Sequence, residues 1–360
     1  MVVASIGTWS GPAASTLAPN LYGAQLWVRS INDRGGLGGH PVKLIAYDDG
    51  FDPARNRAQT QEAIEQRHAI ALLSLATAVH TDDAVNYVTR KRVPVIGSFG
   101  GVAGFYQSPM YFPQQSHFEP LYNSWVQSTA AQLVPLGKRK IGITYCSETP
   151  LCADIAREFS AAAPGLGLQL VYQGQGSIAQ PDYTAECLSA RNAGAEAMVA
   201  ILDGNSVNRY TTSCARQGYK PTYMLVASVI LDRHKEDPNL DGAFGVTNVF
   251  PWFEAGTPGS DEYQRALSAY GKGIANGVGL ATGWAAGKLL EAAGAGLPEP
   301  PTSEGILDGL WSIKANDLGG LTMPLSFTRE QPAKPAVCWW NLQIRNGAWV
   351  SPDGYRRHCL

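Results

Sequence analysis

The sequence predicts an α/β protein of two similar lobes, each built on a parallel sheet. Three observations carry this reading. Short aliphatic runs alternate with amphipathic stretches through the first 120 or so residues, the pattern of consecutive βαβ units. The same alternation restarts at Lys140. The chain has 360 residues, long for one hydrophobic core and ample for two.

Residues 2–6 read as the first strand. Leu21, Ala24, Val28 and Ile31 then recur at helical spacing, and Gly35-Gly36 stops that helix. A strand at 42–47 precedes Asp52-Pro53, which opens a helix because Asp accepts from free N–H groups and Pro needs none. Strands at 70–75 and 94–99 flank a helix at 82–92. In the second series, strands at 141–146, 168–173, 197–203 and 223–227 alternate with helices at 153–163, 182–193 and one ending at Gln217. From about residue 250 the chain turns helical again (261–270, 280–293, 303–310) and closes in Trp- and Cys-rich strands with a turn at Asn346-Gly347. This tail is too small for a third domain and is expected to complete the first two.

Charged residues make up only 16% of the chain, against roughly 25% in ordinary soluble domains. With a net charge of -2 there is no electrostatic footprint for nucleic acid. Arg90-Lys91-Arg92 and Lys138-Arg139-Lys140 read as solvated segments leading into strands. No apolar stretch approaches the roughly 18 residues that span a bilayer. Met1 runs straight into the first strand without a basic segment and leader, so either the protein is cytosolic or the sequence starts where a mature domain starts. The cysteines favour the second. Cys146, Cys152, Cys187, Cys214, Cys338 and Cys359 are even in number and dispersed, which suits disulfides in an oxidising compartment. Six cysteines allow 15 pairings; sequence order suggests Cys146–Cys152, Cys187–Cys214 and Cys338–Cys359, with buried free thiols as the alternative. None lies in a C-x-x-C or at zinc-ligand spacing from a histidine, so no metal site is expected.

Gly174, Gly176 and Ala179 match a dinucleotide-binding spacing, but Gln180-Pro181 separates them from the helix that would have to begin at once. Leu289 after Gly287-Lys288 stands where a phosphate loop needs Ser or Thr. Asp48-Asp49 could chelate a cation, although two acids at a strand end more often cap or stay solvated. No catalytic constellation or cofactor site assembles. In open parallel sheets ligands bind beyond the carboxyl ends of the strands, which puts the site between the lobes on loops 8–12, 75–81, 98–101, 145–152, 203–206 and 227–229.

Several segments together resemble a known family. Ile31-Asn32-Asp33-Arg34-Gly35-Gly36-Leu37-Gly38-Gly39-His40-Pro41-Val42, followed by Tyr47-Asp48-Asp49 and Asp52-Pro53, is similar to the signature of type I periplasmic binding proteins, and most of all to the leucine/isoleucine/valine-binding group. Ser10-Gly11-Pro12, Arg92-Val93-Pro94-Val95-Ile96, Pro181-Asp182-Tyr183-Thr184, Gly218-Tyr219-Lys220-Pro221 and Asn346-Gly347-Ala348-Trp349 fit in order, so the likeness covers nearly the whole chain. It implies two Rossmann-like lobes joined by three hinge crossings, near His117, Val249 and Ser326. The lobes would be residues 1–117 plus 250–326 and residues 118–249 plus 327–360.

The resemblance implies an extracytoplasmic solute-binding component of an ABC importer, periplasmic or lipid-anchored at the cell surface. It would close about its hinge on a small carboxylate-bearing solute, an amino acid or an aromatic or hydrophobic acid, and deliver it to a membrane permease. A monomer without enzymatic activity, cofactor or nucleic-acid partner is expected. A sensory receptor domain of the same fold is the alternative, and a two-lobed α/β transferase a more distant one. The family's carboxylate-binding positions map to Ala76, Thr77, Ser98, Phe99, Gly100 and Gly101, on loops that lead into helix N-termini. Branched-chain amino acid binders place an acid just after the strand that ends here near Val226; this chain has Ala227-Ser228-Val229 there, with Glu148, Asp203 or Asp232 as substitutes for holding an ammonium. Trp9, beside Ser10, reads as a ligand wall. Tyr145 and Trp252 also fall on cleft-facing segments; Trp252 could equally pack in the first lobe's core, where Trp284 is expected. Asn205 sits on the loop of Asp203, and a Cys146–Cys152 bridge would hold Ser147 and Glu148 in place.

Overall fold

The computed structural model describes residues 1–11, 13–77, 81–99, 107–115, 118–334 and 337–360, the side chains of 118–121 and 228 excepted. The chain forms two compact units, residues 1–118 with 254–336 and residues 119–253 with 337–360.

The first unit begins with β1 (Val2–Gly7), α1 (Ala14–Asp33), β2 (Lys43–Asp48), α2 (Pro53–Glu65), β3 (Ala71–Ala76), α3 (Asp82–Lys91), β4 (Val95–Phe99) and the short β5 (Tyr111–Phe112). The strands form one parallel sheet in the order β2-β1-β3-β4-β5. Asp52 caps α2 as its position predicts, its carboxylate accepting from the N–H groups of Ala54 and Arg55. Helix α3 carries Asp82 and Asp83 in its first turn and Arg90 and Lys91 in its last, charges that complement the helix dipole. Ala4, Ile6, Leu72, Val85, Val88, Val95 and Tyr111 pack together as a core.

The second unit opens with α4 (Phe118–Leu133), a helix the sequence reading did not assign. There follow β6 (Lys140–Cys146), α5 (Pro150–Ala162), β7 (Gln169–Gly176), α6 (Thr184–Asn192), β8 (Ala197–Ile201), α7 (Gly204–Arg216), β9 (Thr222–Leu225) and β10 (Phe244–Thr247). Strand β10 was also not foreseen. It pairs parallel to β9 and antiparallel to a strand from the chain's end. Trp125 Nε1 donates to Asn248 Oδ1, and Asn248 Nδ2 donates to Ser124 Oγ and the Cys338 carbonyl (2.8 Å each), so buried polar groups are paired where three distant segments meet.

The chain returns to the first unit for α8 (Pro258–Tyr270), α9 (Val278–Ala293) and α10 (Ser303–Ser312). It finishes in the second with β11 (Cys338–Arg345), β12 (Ala348–Val350) and β13 (His358–Cys359). That sheet runs β12-β11-β10-β9-β8-β6-β7, with β13 beside β11. Asn346 and Gly347, at φ 52° and 76°, make the tight hairpin expected from that dipeptide. Disulfides join Cys146 to Cys152, Cys187 to Cys214 and Cys338 to Cys359, the three pairs that sequence order suggested.

Two boundaries differ from expectation. Residues 250–253 belong to the second unit, because Trp252 is fully buried there against Trp349 (centroids 5.3 Å) and its indole N–H donates to Asp232 Oδ1 (2.9 Å). Residues 327–334 stay with the first unit: Phe327 packs edge-on to Phe112, Arg329 lies 4.4 Å from the Trp311 ring, and Glu330 pairs with Arg92 at 2.7 Å. The expected crossing at His117 falls outside the described residues.

Helices α1 and α9 touch backbone to backbone. A Cβ on Gly283 would lie 1.9 Å from the Asn20 carbonyl oxygen, and one on Gly23 2.1 Å from that of Leu280. Gly279 and Gly287 continue the stripe, Gly287 lying under the Trp27 ring. Nothing larger than hydrogen fits, and overpacking of this kind costs about 3 kcal/mol or more. Gly283→Val is therefore expected to lower the midpoint of urea unfolding by that equivalent; an unchanged midpoint would show that the two backbones are not in contact.

Candidate functional site

In the first unit the carboxyl ends of β3 and β4 are bent together. Ser74 in β3 and Gly97 in β4 both adopt left-handed backbone conformations (φ 53° and 71°). The β1–β3 register slips between Ala4 and Gly7, the signature of a bulge, and bulges re-aim the residues that follow. Ser74 is held by its hydroxyl, which donates to the Asn20 carbonyl of α1. Gly97 is required by α9, since a Cβ there would meet the Ala286 Cβ at 2.2 Å. The kinks set the direction of the segments carrying Ala76, Thr77, Ser98 and Phe99.

A buried carboxylate ties these ends to their neighbours. Asp49, fully buried, accepts from the Thr8 and Thr77 hydroxyls at 2.7 Å, from Asn56 Nδ2 at 2.9 Å and from the Phe51 N–H at 3.0 Å. Its own N–H donates to the Gly7 carbonyl. Asp48 accepts from the N–H groups of Trp9 and Gly50. Burial pushes the Asp48 carboxyl up, but the Ser10 hydroxyl and the N–H groups of Trp9, Gly50 and Ser10 outweigh it and hold the group below the usual carboxylate range. The pair thus organises loops.

Trp9 packs with Leu17, Ala76, Phe99 and Ala13 in one small apolar cluster. Its indole N–H is buried and has no partner among the described residues. The expected anion-binding amides fare differently. Thr77 N–H donates to the Phe99 carbonyl, and Ser98 N–H to Gln114 Oε1 at 3.0 Å. The Ser98 carbonyl accepts from Gln115 Nε2 at 3.0 Å. Both amides are therefore already used: β5 is too short to cover the end of β4, and two glutamine side chains take the place of its missing neighbour. Neither glutamine carried a sequence signal. The Ser98 hydroxyl has no partner among the described residues. Gly100 and Gly101 fall outside the described residues.

In the second unit, Tyr145 is half-buried at the end of β6, and the Cys146–Cys152 bridge ties that strand end to α5. Such a short loop contributes about 2–3 kcal/mol through chain entropy. Glu148 accepts from the Ser147 and Ile178 N–H groups at 3.1 and 3.0 Å and from the Ser177 hydroxyl. Burial raises its pKa, yet these donors prevail and the net direction is down. Asp203 caps α7, accepting from Asn205 N–H at 2.8 Å and from the amide and hydroxyl of Ser206. Asn205 accepts from Arg233 through its side-chain oxygen. Asp232 spends one oxygen on Trp252 and the other on Lys235 (2.7 Å). Ala227 is buried at the end of β9; the Ser228 side chain lies outside the described residues. Trp252, weighed as a pocket wall, is core of the second unit, and Trp284 is core of the first, edge-on to Tyr263.

His234 escaped the sequence reading. Buried, it accepts from the Leu231 N–H at Nδ1, so Nε2 donates to the Gly204 carbonyl at 2.8 Å. Burial lowers its pKa to about 4.

The Periplasmic binding protein family model matches residues 2–348. The chain belongs to the type I periplasmic binding protein family. Among solved structures, this periplasmic binding protein is similar to a possible leucine/isoleucine/valine-binding protein from Rhodopirellula baltica SH 1 (17% identity, 98% of this chain and 95% of that one, TM-score 0.83). A fatty acid ABC transporter substrate-binding protein from Thermomonospora curvata also matches (17%, 98% and 91%, TM-score 0.79). So does an ABC transporter solute-binding protein from R. palustris in complex with benzoate (15%, 100% and 97%, TM-score 0.77). At such identities these likenesses establish the fold. The family consists of solute-binding proteins and not enzymes.

Two outcomes test this arrangement. Asp49→Ala leaves four donors unanswered and is expected to cost about 3 kcal/mol in chemical unfolding; a loss below about 1 kcal/mol would deny Asp49 its tying role. For His234 the folded pKa lies below the unfolded value of about 6.5. Stability is thus full above pH 6.5 and falls between there and pH 4, as the unfolded chain takes up a proton the folded one refuses. The loss is on the order of 3 kcal/mol, and His234→Gln should flatten the melting temperature over that window while wild type declines.

Proposed function

We propose that this periplasmic binding protein captures a hydrophobic or aromatic carboxylate, a solute without an ammonium group, for an ATP-driven importer. The observation that carries the reading is the state of the acids. Glu148, Asp203 and Asp232 each have both carboxylate oxygens engaged by the chain's own donors, and the segment after β9, Val226-Ala227-Ser228-Val229, carries no acid. An ammonium buried without a carboxylate would cost several kcal/mol. A carboxylate with an apolar body finds suitable groups in the first unit: half-buried Trp9 packed on buried Ala76 and Phe99, with the Ser98 hydroxyl and the buried Trp9 indole N–H as donors without a partner among the described residues. One similar protein is named for fatty acids and another is a complex with benzoate, which favours this ligand class, although a third is named as a possible leucine/isoleucine/valine-binding protein; the naming of the first two as ABC transporter components supports the importer role. Three disulfides suit an extracytoplasmic compartment. The partner would be a membrane permease, met by a monomer.

A thermal-shift panel of leucine, benzoate and octanoate decides between solute classes. A solute at 100 times its dissociation constant adds about 2.7 kcal/mol of stability. Benzoate or octanoate is expected to raise the melting temperature and leucine to leave it unchanged. Stabilisation by leucine alone would return the protein to the amino acid binders.

A further inference from the structure

Tyr22, Phe51, Leu136 and Leu360 are the large apolar side chains exposed among the described residues. Leu136 lies in the turn before β6, Leu360 is the last residue, and Tyr22 is on α1. Leu360 follows β13 in the second unit, whereas Phe51 lies just beyond the carboxyl end of β2 in the first, at the same end of that sheet as Trp9, Thr77 and Ser98. It is 40% exposed.

Its backbone makes the choice of residue more telling. Gly50 and Phe51 take consecutive left-handed conformations, φ 57° and 69°. Glycine enters that region freely; a bulky aromatic does so at a cost, and such strain concentrates at ligand-contacting positions. Glycine or asparagine would serve the turn with less strain and without an exposed ring. The turn is also fixed in place. The Phe51 N–H donates to Asp49 Oδ1, the oxygen that takes the Thr8 hydroxyl, while the other Asp49 oxygen takes the Thr77 hydroxyl. Gly50 N–H and Trp9 N–H share Asp48 Oδ1. One pair of carboxylates therefore ties the Phe51 backbone to the segments carrying Trp9 and Thr77, and the exposed ring has no aromatic partner among the described residues.

We propose that Phe51 is a solute-contacting residue whose ring covers the apolar body of the bound carboxylate, opposite the Trp9 cluster. This rests on the reading of the site as one for a hydrophobic carboxylate. Aromatic contact over an aliphatic chain or ring favours apolar solutes without adding charge.

The test measures dissociation constants for benzoate and octanoate by calorimetry on wild type, Phe51→Ala, Phe51→Gly, Phe51→Leu and Trp9→Ala. Phe51→Ala and Phe51→Gly are expected to weaken the better probe at least fivefold, with Phe51→Leu recovering part of the loss. Phe51→Gly should meanwhile hold or raise the melting temperature of the unliganded protein, because glycine accepts the left-handed turn; this separates lost contact from lost structure. Wild-type affinity in Phe51→Ala and Phe51→Gly, with binding lost in Trp9→Ala, would overturn the role of Phe51 and leave the site standing. Wild-type affinity in Trp9→Ala, or no binding of either probe by wild type, would overturn the site reading and the role of Phe51 with it.

Discussion

Helix α9 lies against α1 with no side chain between them at Gly283, and the strand ends of the first unit are arranged around that contact. The Asn20 carbonyl facing Gly283 also accepts the Ser74 hydroxyl, which holds the kink in β3. One turn along α9, Ala286 fills the space that a Cβ on Gly97 would need, and so holds the kink in β4. The Thr282 carbonyl accepts from Gln114 Nε2, and Gln114 in turn takes the Ser98 amide. One face of a helix about 200 residues away in sequence thus sets the course of both segments beyond the kinks. A larger residue at Gly283 would press on α1 and, through it, on the residues that would meet the solute.

The acidic residues share a logic. Asp48, Asp49, Glu148, Asp203 and Asp232 all sit close behind strand ends or turns, and each accepts from backbone amides, hydroxyls or side-chain N–H groups of the chain itself. A carboxylate with several donors on it is a good tie, because each charge-assisted hydrogen bond is worth more than a neutral one. The same satisfaction makes it a poor ligand for a cation. The charge that remains open in the first unit is of the other kind, partial positive charge on an indole N–H and a hydroxyl beside apolar rings. That pairing of weak donors with apolar surface is what orients the reading toward a carboxylate with a hydrophobic body.

In the second unit the disulfides join neighbouring elements: a strand end to the next helix, two adjacent helices, and the last strand to its partner. Each closes a modest loop, so each restrains the unfolded chain by about 2–4 kcal/mol while leaving the topology to hydrophobic packing. The Cys146–Cys152 bridge differs from the others in where it lies, since its loop presents Ser147 and Glu148 at the carboxyl end of β6.

Much of the architecture was legible in the sequence because it is written in local patterns. Helical spacing at Leu21, Ala24, Val28 and Ile31, the Asp52-Pro53 cap, the Asn346-Gly347 turn and the restart of the β/α series at Lys140 each act over a few residues, and the cysteine pairs follow chain order. Helix α4 and strand β10 were missed because they depend on distant partners: Trp125 on Asn248, and β10 on β11 from the chain's end. The site divided the same way. Trp9 was expected from its place beyond a strand end, and Ala76, Ser98 and Phe99 from the family resemblance that local motifs carry. Tertiary structure alone decided that Trp252 is core, that Asp49 is a hub with its oxygens taken by the chain's own donors, that two glutamines take up the Ser98 backbone N–H and carbonyl, and that three candidate acids are already satisfied. A hydrogen bond is settled by whichever donor arrives first in space, and spacing along the chain says little about which one that will be.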